Sequence, residues 1–99
     1  MTLIVKLLRA EEWAAFQAAG EFAGSADDVR DGYIHLSAPD QVAATAAKWF
    51  ADAPGLMAVT FDADGFGTAL RWEPARGGIL FPHVYRPLRL DEVVQAVAF

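Results

Sequence analysis

Tyr33-Ile34-His35-Leu36-Ser37-Ala38-Pro39-Asp40-Gln41-Val42 is the stretch in which the chain changes its periodicity. The first half alternates. On an extended backbone Tyr33, His35 and Ser37 share one face, while Ile34 and Leu36 point to the other, as in a strand with a single apolar side. The second half carries helix-start chemistry: Ser37 is the expected N-cap, Pro39 stands in the first turn, and Asp40 completes a near capping box. Outward towards the N-terminus, Leu3–Leu8 reads as a short buried strand. Ala10–Ala19 reads as a helix, with Glu11 and Glu12 at its positive end and Gly20 as its stop. Residues 20–32 are rich in turn formers and close on Asp31-Gly32. Outward towards the C-terminus, Val42, Ala46, Trp49 and Phe50 define the apolar face of a second helix, which Ala53-Pro54-Gly55 ends. Strand-like segments then follow at Leu56–Asp62, Ala69–Glu73, Ile79–Tyr85 and Val93–Phe99. Two main helices early and strands late predict an α+β, mostly antiparallel single domain spanning residues 1–99.

Composition narrows the chemistry. The chain has 99 residues, a net charge of -5 and no cysteine, which excludes disulfide staples, thiolate zinc sites and cysteine nucleophiles. An acidic chain is a poor candidate for non-specific binding to nucleic acid or to an anionic membrane. No apolar run approaches the roughly 18 to 20 residues of a membrane span, and the apolar start is too short for a signal sequence, so the expected location is cytoplasmic. The two histidines, His35 and His83, lie far apart in sequence with no i, i+4 partner, so no metal site is expected. Glycine-rich phosphate loops and nucleophile elbows are absent as well.

The charge is unevenly placed. Residues 71–89 hold four arginines (Arg71, Arg76, Arg86, Arg89) and one acid (Glu73), a net of +3, while the remainder carries -8. Arginine suits bidentate binding of phosphate or carboxylate, so a small anionic ligand is compatible with an acidic chain. The competing reading is that these arginines pair with the surplus surface acids. By alternation, Arg71 and Glu73 share a strand face opposite Trp72, and His83 and Tyr85 share a face of the next strand. Glu73 has the chemistry of a general base or hydroxyl acceptor, with Arg71 helping to keep it ionised. An Arg71–Glu73 ion pair beside a buried Trp72 is the structural alternative.

Three separated motifs carry a family resemblance: Asp31-Gly32-Tyr33-Ile34-His35-Leu36-Ser37 with Gln41-Val42, then Leu70-Arg71-Trp72-Glu73, then Phe81-Pro82-His83-Val84-Tyr85-Arg86-Pro87-Leu88. In that order they resemble the small bacterial domain-of-unknown-function family 952. The resemblance implies an ADP-ribosyltransferase-like fold, a split β-structure that cradles the nicotinamide end of NAD. It makes His35 and Glu73 the expected catalytic residues. Tyr33, Ser37, Arg30, Arg71, His83 and Tyr85 are the expected ligand contacts, and NAD is a possible substrate or ligand. Two other readings stand beside it. One is a non-catalytic module, binding a small ligand or a protein, in which the His, Arg and Glu motifs are structural. The other is processing of an RNA 2′-phosphate, since Ile34-His35-Leu36-Ser37 resembles a strand of the tRNA 2′-phosphotransferases. A protein partner is not specified by any motif.

Overall fold

A computed structural model of the protein describes the backbone of residues 1–99 and every side chain except that of Arg76. Strand β1 (Leu3–Leu8) pairs antiparallel with β4 (Met57–Asp62), and β4 pairs antiparallel with β8 (Val93–Ala98), forming a three-stranded sheet in the order β1-β4-β8. A second three-stranded antiparallel sheet, in the order β3-β6-β5, is built from β3 (Ile34–His35), β5 (Leu70–Pro74) and β6 (Leu80–Val84). A two-stranded antiparallel ribbon joins β2 (Glu21–Phe22) to β7 (Leu88–Arg89). Three helices complete the fold: α1 (Ala10–Ala19), α2 (Ala26–Asp31) and α3 (Val42–Trp49). The chain is a small α+β single domain with antiparallel sheets. Among the described residues no helix is long and apolar enough to cross a membrane.

β1 is buried on both faces, which explains its nearly continuous apolar run. Ile4 and Leu8 belong to the larger core with Phe16, Ile34, Phe61 and Leu88. Val5 and Leu7 pack on the other side with Val42 and Ala46 of α3. The first strand and first helix fall where the sequence places them, and Gly20 ends α1 in the left-handed region (φ 77°) with its N–H donating to the Phe16 carbonyl.

Several local expectations are corrected. Residues 20–32 hold a helix rather than turns alone. The Ser25 hydroxyl accepts from the Asp28 N–H, the Asp28 carboxylate accepts from the Ser25 N–H, and Gly32 (φ 87°) closes the C-terminus. This reciprocal box makes a six-residue helix possible without a long apolar face. Ser37 does not cap the next helix. Its backbone bonds to β1, with Val5 N to Ser37 O and Ser37 N to Val5 O both at 2.8 Å. The turn opens instead at Ala38, whose N–H donates to the Gln41 side chain, and a short 3-10 turn (Pro39–Gln41) precedes α3. The helix then ends at Trp49, before Ala53-Pro54-Gly55, and Trp49 is 56% exposed instead of packing beside Val42 and Ala46. Trp72 is also exposed, and β7 is an additional short strand that the sequence reading lacks.

Candidate functional site

A cavity of about 580 Å³ opens along the junction between the two three-stranded sheets, floored by Lys6 and Ser37. Such a volume accommodates a metabolite-sized ligand. α2 and the Asp31-Gly32 turn supply one wall, the end of α3 another, and the β5–β6 hairpin a third. Tyr33, His35 and Ser37 all line it; Ile34 is buried away from it in the core, but Leu36, also buried, lines the cavity as well, so the alternation in the deciding stretch separates chemistry from packing only in part.

Tyr33, His35 and His83 form a cluster of rings on this wall. Tyr33 stacks on His83 with centroids 4.1 Å apart and lies 4.7 Å from the His35 ring, and the two imidazoles are 5.5 Å apart. The register explains the meeting, because His35 and His83 are direct partners across β3 and β6. Arg71 is in turn the partner of His83 on β5.

Each imidazole has a carboxylate beside it. His83 Nδ1 is 2.8 Å from the Glu73 carboxylate, to which the Tyr85 hydroxyl also donates at 2.7 Å. The Tyr85 bond, followed by the His83 bond, holds the Glu73 carboxyl below its usual range, with Arg71 a smaller contributor. Tyr85 is pushed up in return, chiefly by its bond to Glu73. The expected Arg71–Glu73 ion pair does not form among the described contacts: the Arg71 guanidinium lies over the Tyr85 ring at 5.0 Å. Arg71, Glu73 and Tyr85 do not line the cavity, and Arg71 and Tyr85 are exposed; Glu73 and Tyr85 connect to the cavity through His83 and Tyr33.

His35 sits between two aspartates, its Nδ1 2.6 Å from Asp28 and its Nε2 3.1 Å from Asp31. Asp28 is the organising group of this end, and it escaped the sequence reading. Although only 2% exposed, its carboxylate also accepts from the Lys6 ammonium at 2.9 Å and from the backbone N–H groups of Ser25 and His35. Burial drives the Asp28 carboxyl up, but the His35 bond and the Lys6 charge oppose it. With the two backbone donors, the result lies well below the usual carboxylate range. Lys6 in turn donates to the His35 carbonyl at 2.8 Å. An imidazole oriented by a buried carboxylate is suited to proton transfer or to holding a hydroxyl. Two signals pointed to Asp28: the Ser25-x-x-Asp28 spacing and a lone lysine inside an apolar strand.

Arg30 lies at the rim of the cavity, paired with Asp27 and Asp31 and largely exposed. Its hydrogen bond to Asp31, then the charges of Asp31 and Asp27, raise the guanidinium pKa. Among the described residues the arginines of the segment do not form one cationic face, and Arg76 lies outside the described side chains. Arg86 is held by both oxygens of Glu92 and Arg89 by Asp91, around a separate surface hollow. Among the described residues no group of three or more His, Cys, Asp or Glu is arranged to hold a metal ion.

The sequence profile of the family described as Protein of unknown function (DUF952) matches residues 7–96. The chain belongs to this family. The crystal structure of protein CC0527 from Caulobacter crescentus is 48% identical in sequence to this DUF952 chain, with a TM-score of 0.94 over 98% of this chain and 85% of that one. The solution NMR structure of CC0527 is 49% identical, with a TM-score of 0.86 over 99% and 84% of the two chains. No curated protein matches the sequence.

Proposed function

We propose that the cleft binds a nucleotide of the NAD or ADP-ribose class, on a fold of the ADP-ribosyltransferase type. The observation that carries this reading is the cluster of Tyr33, His35 and His83 rings on one wall of a metabolite-sized cavity, with Asp28 behind one imidazole and Glu73 behind the other. Aromatic rings and oriented imidazoles are the groups that hold a ribose and a planar base. In this reading Tyr33, His35 and Ser37 contact the ribose or nicotinamide portion, and Arg30, paired with Asp27 and Asp31 at the rim, adds positive charge near a phosphate. Glu73 acts through His83 and Tyr85. Where NAD is the ligand, the reaction is transfer of ADP-ribose. The bond from C1′ to the nicotinamide nitrogen breaks, nicotinamide leaves with the electron pair, and an acceptor nucleophile bonds to C1′ as its proton passes to His35 Nε2, which gives up its contact with Asp31 to accept it. The Asp31 carboxylate at the cavity, and Glu73 through its bond to His83, favour the positive charge that develops on the ribose.

Titration of isotopically labelled protein with NAD, ADP-ribose and ADP-ribose 1″-phosphate tests the reading. Amide shifts are expected at Tyr33, His35, Ser37 and His83, and they should disappear in His35→Ala. No shift at millimolar concentration from any of the three ligands rules the proposal out.

A second reading, a non-catalytic module with structural motifs, is favoured by one observation: His35, His83 and Arg30 already have internal carboxylate partners. It predicts that His35→Ala and Glu73→Ala lower the melting temperature and change no activity. Active-site residues, in contrast, are often neutral or stabilising when removed.

A further inference from the structure

The two ends of the cleft differ in their chemistry. The α2 end presents Asp27, Asp28 and Asp31, each already engaged with Lys6, Arg30 or His35. The α3 end is aromatic. Thr45 and Trp49, four residues apart, share a helix face turned to the cavity, and Phe50 at the C-cap joins them. Trp49 is 56% exposed, so its indole contributes little to the core and presents most of its surface to solvent and the cleft. Each of these two rings also has a cation over it. The Arg9 guanidinium lies 5.0 Å from the Phe50 centroid, and the Lys48 ammonium 5.2 Å from the Trp49 centroid. Neither Arg9 nor Lys48 has a carboxylate partner among the described residues, whereas Lys6, Arg30, Arg86 and Arg89 all do.

We infer that the Trp49–Phe50 end of the cleft is a subsite for a planar heteroaromatic ring with a negative charge close to it, the base-and-phosphate portion of a nucleotide. Trp49 supplies the stacking surface, and Arg9 and Lys48, which do not line the cavity but sit over the Phe50 and Trp49 rings that do, supply positive charge beside it that no carboxylate among the described residues neutralises. This rests on the nucleotide reading of the cleft and orients the ligand within it. The ring lies at α3 and the ribose hydroxyls face His35 and Asp31, while the ion pairs of Arg30 need not break. Stacking on an aromatic side chain contributes enough per base for its removal to cost roughly 5- to 150-fold in affinity. Cations already seated on aromatic faces add to anion binding without first leaving an acid.

The test compares AMP, adenosine, ribose 5-phosphate and ADP-ribose on the full chain, reading indole fluorescence and the amide resonances of His35 and His83. AMP and ADP-ribose should quench the emission of the wild-type protein, and Trp49→Phe should abolish most of that quenching while retaining binding within about threefold. Trp49→Ala should weaken AMP by at least fivefold and leave ribose 5-phosphate unchanged. Arg9→Ala with Lys48→Ala should weaken AMP more than adenosine. Because Trp49 is mostly exposed, these variants should melt close to wild type, and a melt run alongside separates lost binding from lost folding. AMP binding of wild-type strength in Trp49→Ala, with His35 and His83 still shifted, overturns the subsite and spares the nucleotide reading. Failure of AMP and ADP-ribose to shift any cleft resonance overturns the subsite, and the nucleotide reading falls with it when NAD and ADP-ribose 1″-phosphate are silent too.

Discussion

Replacing Asp28 by alanine removes, in one step, the carboxylate that holds the Lys6 ammonium at 2.9 Å, His35 Nδ1 at 2.6 Å and the backbone N–H of Ser25 at 2.9 Å. Lys6 is itself buried and keeps only the His35 carbonyl. Breaking a buried ion pair from one side costs about 3–5 kcal/mol, because the surviving charge is left in a poor solvent. For a domain of this length that is a large share of a total stability of about 5–15 kcal/mol. Asp28→Asn retains the shape and one acceptor oxygen, so about 2 kcal/mol is expected, in line with a lost hydrogen bond to a charged group. Urea unfolding of wild type, Asp28→Ala, Lys6→Met and the double variant measures both the cost and the coupling. The double variant should be about 1.5–3 kcal/mol more stable than the sum of the single losses predicts, since removing both partners strands neither. The pH dependence carries the same signature. Asp28 titrates below its ordinary value of 3.8 in the folded protein, so its contribution is complete above that value and is lost as the pH falls below it. Asp28→Asn should therefore flatten the acid limb of the stability curve. A cost for Asp28→Ala under about 1 kcal/mol, or strictly additive single losses, refutes the claim that this pair organises the α2 end of the site.

Two further outcomes are expected. Gly24→Ala places a Cβ 2.8 Å from the Asp28 Cβ at a φ of 125°, so it should destabilise by about 1–3 kcal/mol in a thermal melt, and a neutral result contradicts the described turn. Glu73→Gln should return the raised Tyr85 phenol towards its ordinary value of 10.0 in an alkaline absorbance titration. A group raised on folding contributes below its unfolded value and loses that contribution as the pH rises through the folded one. The variant should accordingly lose less stability than wild type at alkaline pH, and an unchanged phenolic titration counts against the Tyr85–Glu73 bond.

The parts of the fold that were legible in the sequence are those where local signals and tertiary packing agree. Leu3–Leu8 and Ala10–Ala19 have an apolar run and a glycine stop that the structure uses directly. The ring cluster was half legible: alternation placed Tyr33, His35 and Ser37 on one face, but only the pairing of His35 with His83 across 48 positions of sequence brings the second imidazole beside them. Helix α2 was missed because its stability comes from reciprocal caps rather than from an apolar face. Ser37 was misread for a related reason. Its sequence context suits an N-cap, yet its N–H and carbonyl are taken by Val5, a partner no local pattern reveals. Trp49 fell on the apolar helical stripe by spacing alone, and the early end of α3 leaves it at the mouth of the cavity. The divided charge was read correctly as a division but not as a surface, because Arg86 and Arg89 fold back onto Glu92 and Asp91, just beyond the segment.

The bridge between Val5 and Ser37 joins two sheets through main-chain atoms only, while the Ser37 side chain turns to the cavity and donates to the Thr45 hydroxyl. Structural duty and chemical duty are thereby divided within single residues. The peptide groups make this join whatever side chain they carry, so a substitution at position 37 that fits its buried site leaves the main-chain bridge in place. A scaffold arranged this way can change the side chains along the floor of its cavity one residue at a time while the main-chain join between its sheets persists.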